Sequence, residues 1–240
     1  MLFKKFSNRK KLWWVLGAII LIIIVGFGAF WLHTISEPYT TAGPFGVLFP
    51  APYKKATTTV FWVGEGATSD NDYISNTESA WDEHWAEHYG GVDSPNNRCG
   101  SFPCGFVPKE NPFYAALPYD DWDDNGDQRP NAKLIPWYSP DFPKDHSLMK
   151  NHWIEIRQGQ YTCYAQIEDV GPYEENDFGY VFGNNPTPKN QIDLKAGLDV
   201  SPAVRDCLHI QDGSAQTYWR FVDANDVPPG AWRMIVTTSY

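Results

Sequence analysis

The sequence predicts a mainly β fold, a small barrel with helical and loop insertions, carried behind one transmembrane helix. Three observations predict it. Short β-branched and aromatic runs recur between long irregular connections, nineteen Gly and nineteen Pro punctuate the chain, and one 21-residue stretch near the N-terminus carries no charge. With 16% aromatic and only 20% charged residues, a disordered chain or a long coiled coil is excluded.

The uncharged stretch is Leu12 to Leu32. At 1.5 Å per residue it spans a hydrocarbon core of about 30 Å, so it reads as a signal anchor. Trp13, Trp14 and Trp31 sit near its ends, and Lys4, Lys5, Arg9, Lys10 and Lys11 precede it, which places the N-terminus in the cytoplasm and all that follows His33 outside. A cleaved leader is the competing reading, with Leu12 to Val25 as its apolar region and Gly26-Phe27-Gly28 as its cleavage site. The anchor is preferred because apolar residues continue through Leu32. Both readings export the same domain.

The net charge of -10 is the sum of two unlike parts. Residues 1–33 hold five of the nineteen basic residues and no acid, leaving 14 basic against 29 acidic residues, or -15, on the exported part. Such a surface repels phosphate backbones, so nucleic acid is not an expected partner. Outside the cytoplasm thiols oxidise, and the four cysteines are expected to pair as Cys99 with Cys104 and Cys163 with Cys207. Zinc is disfavoured for them, because only one pair is closely spaced and it lacks a CxxC arrangement.

Residues 33–56, rich in Pro and Gly, read as a stalk, and the domain is expected over 57–240. Thr57 to Val63 reads as a first strand, and Glu78 to Tyr89 as a helix capped at Asn76 or Thr77 and stopped by Gly90-Gly91. Gly91 to Pro112 is expected to be loop. His152 to Arg157 and Tyr161 to Glu168 flank Gly159 as a hairpin. Ser201 caps a short helix begun by Pro202, and Trp219 to Asp223 and Trp232 to Thr238 read as two strands about a Pro228-Pro229-Gly230 turn.

Two segments carry a family resemblance: Ile167 to Tyr173 (IEDVGPY) and, thirty residues on, Gly197 to Val204 (GLDVSPAV). Together they resemble the double-psi β-barrel superfamily, which includes the rare lipoprotein A type of wall proteins, the expansins, family 45 endoglucanases and MltA-type lytic transglycosylases. The resemblance covers about residues 57–240 and implies a six-stranded double-psi β-barrel. It further implies a partner among cell-wall glycans, peptidoglycan included, with no cofactor. Asp199 falls where the family places its catalytic acid, with Gly197 and Leu198 replacing the family's His and Phe. Asp169 falls on its other acidic groove position. Glycoside cleavage needs a carboxyl group to protonate the leaving oxygen, and often a second to activate water or steady the cation.

Val63 stands where family 45 endoglucanases carry a catalytic base, which weakens a two-carboxylate mechanism. Glu65, two residues on, replaces that base only if the backbone turns there. A single-acid cleavage of the lytic transglycosylase type survives the loss. So does a non-enzymatic, envelope-organising role, since expansin-like relatives loosen walls without detectable hydrolysis. The two aspartates also have plain structural readings, as a turn-binding and a helix-leading carboxylate.

Three further features compete for attention. Of the eight tryptophans beyond the membrane segment, Trp122 and Trp137 lie in expected loops and are the candidates for stacking on sugar rings. His84-Trp85-Ala86-Glu87-His88 matches the His-x-x-Glu-His pattern of zinc hydrolases, with Glu155 or Glu168 as third-ligand candidates. Asp121 to Asp127 resembles the first half of a calcium loop, but its twelfth position is Ala132 rather than a bidentate carboxylate.

Overall fold

The computed structural model describes residues 51–240. The expected membrane segment and most of the expected stalk lie outside them, and no helix among the described residues is long and apolar enough to cross a membrane.

Six strands close a barrel: β1 (Lys54–Val60), β4 (Tyr114–Leu117), β5 (Trp153–Gln158), β6 (Tyr161–Val170), β7 (Leu198–Val200) and β8 (Ser214–Val222). Around the barrel their order is β1-β7-β4-β6-β5-β8, with β8 pairing back on β1. The β1/β7 and β4/β6 pairs are parallel and the other four antiparallel. A small hairpin of β2 (Arg98–Cys99) and β3 (Phe102–Pro103) sits apart from it, inside the expected loop.

Strand alternation sorts the residues. Ala56, Ala115, Leu117, Ile154, Ile156, Ala165, Ile167, Leu198, Val200 and Phe221 point inward and form one apolar core, while their neighbours face outward. Helix α3 (Pro202–Leu208) lays Ala203, Val204 and Leu208 against that core. It starts as the sequence predicts: Ser201 Oγ accepts from the Val204 amide and Pro202 fills the first turn. Both expected disulfides are present, and Cys163–Cys207 fastens α3 to β6. A second apolar cluster lies outside the barrel, where α1 (Trp85–Tyr89) sets Trp85 and Tyr89 on Phe61, Tyr114 and Ala116.

Several elements differ from expectation. The first strand begins at Lys54 and ends at Val60, because Lys54, Lys55 and Ala56 pair with Trp219, Tyr218 and Thr217 of β8. The helix expected over Glu78–Tyr89 keeps only its last turn; Ser79 and Asp82 bridge to each other instead, and Asp82 Oδ1 accepts from the His84 amide. Gly90 ends the helix with φ 108, as expected of a stop glycine.

Trp232 to Thr238 is not a strand. The six-stranded barrel leaves no edge to receive it, and the Gln166 side chain substitutes for a ladder: its Oε1 accepts from the Thr237 amide at 2.9 Å and its Nε2 donates to the Thr237 carbonyl at 3.0 Å.

Candidate functional site

The strand registers place the two aspartates. Ala116 on β4 is paired with Asp169 of β6 on one side and with Asp199 of β7 on the other. Asp199 in turn pairs with Thr59 of β1, and Thr59 with Ser214 of β8. Residues directly opposite across a sheet project from the same face. One outward row therefore runs Ser214, Thr59, Asp199, Ala116, Asp169, with the two aspartate backbones two strand spacings, about 10 Å, apart.

A bulge makes this row. The β4/β6 register steps from Ala115 opposite Ile167 to Ala116 opposite Asp169, so Glu168 is the extra residue. Without it Glu168 would stand opposite Ala116, and Asp169, two residues after the inward-facing Ile167, would point into the barrel. Glu168 itself is buried, and neither carboxyl oxygen has a hydrogen-bond partner among the described residues. Burial holds its carboxyl well above the usual range, against the opposing charge of Lys150.

The row lies in an open groove of about 390 Å³, and this groove contains both aspartates. Asp169 is 7% exposed. Its Oδ1 accepts from the amides of Ala80 and Val170, each at 2.8 Å. Burial pushes its carboxyl up to about 7; the two amides pull the other way, and the charge of Asp199 adds to the rise. Asp199 Oδ1 accepts a close hydrogen bond from the Thr59 hydroxyl. Gly171, at φ 151, carries the chain over this spot: a Cβ on it would stand 3.7 Å from Asp199 Oδ2.

The turn that Glu65 requires is also present. Gly64 adopts φ 78, its amide bonds to the Asn76 carbonyl, and Glu65 swings into the groove, where Asn76 Nδ2 donates to its Oε2 at 2.8 Å. Burial raises its carboxyl above the ordinary range. Among the described residues, six carboxyl side chains line the groove (Glu65, Asp72, Asp169, Glu175, Asp199, Asp212), and no Lys or Arg does. Thr59, Glu175, Asp212 and Ser214 carry no motif; the cross-strand register brings Thr59 and Ser214 here, and the connecting loops bring Glu175 and Asp212.

Chemically, the groove holds a carboxyl that keeps its proton to about pH 7, with one oxygen tied to the backbone, near a second carboxylate whose charge it feels. A carboxyl raised by burial beside a second acid is the ordinary basis of an acid and a charge-stabilising partner.

The other sequence candidates lie elsewhere. Trp137 stacks on His152 at 4.1 Å, donates Nε1 to the Leu148 carbonyl and packs on Phe221. Trp122 is half-buried, bridges to Gln128 and lines a separate cavity with Tyr138 and Phe142. Neither reaches the groove. His84 and His88 have ring centroids 5.9 Å apart, but His84 precedes the helix and His88 Nδ1 is held by Asp82 Oδ2 at 2.8 Å.

No group of three or more potential metal ligands gathers among the described residues. Glu155 is bound by Tyr53, Arg157 and Arg220, and Glu168 is buried beside Lys150. In the calcium-like segment, Asp121 is fully buried and accepts from Ser147 Oγ and the Leu148 amide. Asp123 accepts from the amides of Asn125 and Asp127. Those oxygens close a turn and anchor it.

No protein-family model and no curated protein matches the chain. Among solved structures the chain aligns with a Streptomyces papain inhibitor at 12% identity and a TM-score of 0.32, over 74% of this chain and 100% of that one. A likeness of that strength carries no argument about function.

Proposed function

We propose that this is an exported, membrane-anchored double-psi β-barrel protein whose groove binds a cell-wall glycan and cleaves it, in the manner of a lytic transglycosylase. The observation that carries the reading is Asp169, a carboxyl raised to about 7 that faces an open groove shared with Asp199. The parallel β1/β7 and β4/β6 pairs and the two disulfides agree with the fold and the compartment the sequence suggests.

The expected roles are exchanged. Asp169, rather than Asp199, gives its proton to the leaving glycosidic oxygen as the C–O bond breaks, and Asp199 steadies the positive charge that develops on the ring. The sugar's own C6 hydroxyl oxygen then bonds to the anomeric carbon, and Asp169, now a carboxylate, takes the proton that this hydroxyl releases, which restores its acid form.

The test is release of soluble glycan from purified sacculi by the full chain. Wild type is expected to release product, and Asp169→Asn to lose at least about a hundredfold of that rate; Asp199→Asn should lose less. Unchanged release by Asp169→Asn would overturn the assignment.

A second reading has its own support, since the protein itself already binds both carboxylates, through Ala80, Val170 and Thr59. In that reading the chain is a non-enzymatic wall-binding module. It predicts cosedimentation with sacculi and no product from any variant.

A further inference from the structure

We infer that the groove continues along β1 into a subsite for a carboxylate carried on the bound glycan, received by Lys55 and Lys195. The inference rests on the reading of the groove as a glycan site.

The strand supplies the track. Along β1, Ala56 and Thr58 are buried and Thr59, Thr57 and Lys55 face outward, so Lys55 stands about 14 Å from Thr59 at about 3.4 Å per residue. On β8 the partners of these three are Ser214, Gln216 and Tyr218. Gln216 Nε2 donates to Thr57 Oγ1 at 2.7 Å, and Tyr218 is half exposed. A second cavity of about 390 Å³ opens over Lys55, Thr57 and Gln216, with Gln191 and Lys195 opposite, and it shares Leu194 with the aspartate groove.

The charge changes sign between the two. Among the described residues, six carboxyl side chains and no base line the groove, whereas two lysines and no acid line its extension. Among the described residues neither ammonium group has an ion-pair or hydrogen-bond partner. In a domain as acidic as this one, two unpaired lysines sharing a cavity are a local exception.

The wall that bears Lys195 is also held in place. Leu194 and Lys195 have φ 56 and 55, a left-handed conformation that non-glycine residues rarely adopt, at exposed positions. The buried Asn190 side chain fixes this loop, donating to the Ala196 carbonyl and accepting from the Ile192 amide. Lys195 is thus presented from a pre-shaped loop.

The polarity sets the register of a bound chain. A carboxylate is repelled over Asp169 and Asp199 and attracted over the lysines, so a neutral sugar lies at the aspartates while an acidic sugar lies on the extension. A ring carboxylate and an ether-linked lactyl group present the same chemistry there.

The test is isothermal titration of the full chain, in detergent micelles at fixed ionic strength, with three hexasaccharides. One is the neutral N-acetylglucosamine hexamer, one carries ring carboxylates on alternate sugars (hyaluronan), and one carries lactyl ethers on alternate sugars. At least one acidic hexamer is expected to bind about tenfold more tightly than the neutral one, and the hexamer that shows the gain identifies the source of the carboxylate. Lys55→Gln with Lys195→Gln is expected to abolish the gain while leaving the neutral hexamer's affinity and the thermal midpoint unchanged. Equal affinity for all three, or a gain that survives the double substitution, overturns the subsite alone. Failure of all three to bind overturns the glycan reading and the subsite together.

Discussion

Glu155 and Asp169 are both nearly buried carboxylates on the outward faces of neighbouring strands, and the protein treats them in opposite ways. Around Glu155, Tyr53 donates to Oε1 at 2.7 Å, Arg157 Nη2 reaches Oε1 at 2.6 Å and Arg220 Nη2 reaches Oε2 at 2.6 Å. The Arg157 and Arg220 guanidinium groups also lie over the Tyr53 ring, 4.6 and 4.5 Å from its centroid. Burial would raise the Glu155 carboxyl, but the hydrogen bonds from Tyr53, Arg220 and Arg157 outweigh it and hold it below the ordinary range. Asp169 has two backbone amides, no cation, and another acid as its electrostatic neighbour, and it rises to about 7. Burial alone therefore does not decide which way a carboxyl shifts; whether a cation compensates it does.

The contrast can be broken by exchanging the two. Asp169→Asn is expected to cost at least about a hundredfold in glycan release, and Glu155→Gln to leave release within about twofold, both measured on sacculi. Stability should respond the other way. Glu155→Gln leaves two arginines facing a neutral amide and should cost about 2 kcal/mol in urea unfolding, below the usual loss for a broken buried pair because Arg157 is half exposed.

A smaller effect sharpens the contrast through pH. The folded Asp169 holds a proton that the unfolded chain releases near pH 4, so its contribution to stability is complete below about pH 4 and is lost as pH rises through about 7. Asp169→Asn should therefore be more stable than wild type by on the order of 1 kcal/mol at about pH 8, with the gap closing toward about pH 4. Release by wild type should fall over the same rise, as the acid loses its proton. The smallest expected change follows Asp199→Asn: removing that charge should move the alkaline fall of the residual release downward by less than about one pH unit.

The parts of the fold that local chemistry dictates were legible in the sequence. Gly159 between two alternating runs makes the β5/β6 hairpin, Ser201-Pro202 starts α3, and both disulfides pair as the exported context and spacing suggest. Misplaced elements were those decided by distant partners. Trp232 to Thr238 has strand composition but meets a closed barrel, and Lys54 to Ala56 looks like linker until β8 pairs with it. The site divides in the same way. Asp169 and Asp199 are marked by their motifs, but that they flank Ala116, that the Glu168 bulge sets this register and that Gly64 turns Glu65 into the same groove are properties of the pairing. Trp122 and Trp137 read as loop aromatics in the sequence, and tertiary packing places them at other cavities.

The most direct test of the account is a carboxyl ¹³C NMR titration of the full chain, following Asp169 and Glu155 in one sample. Asp169 is expected to titrate at about 7 and Glu155 below the ordinary glutamate range. An Asp169 that titrates near 4, in the ordinary aspartate range, would remove the acid from the groove and contradict the proposed cleavage.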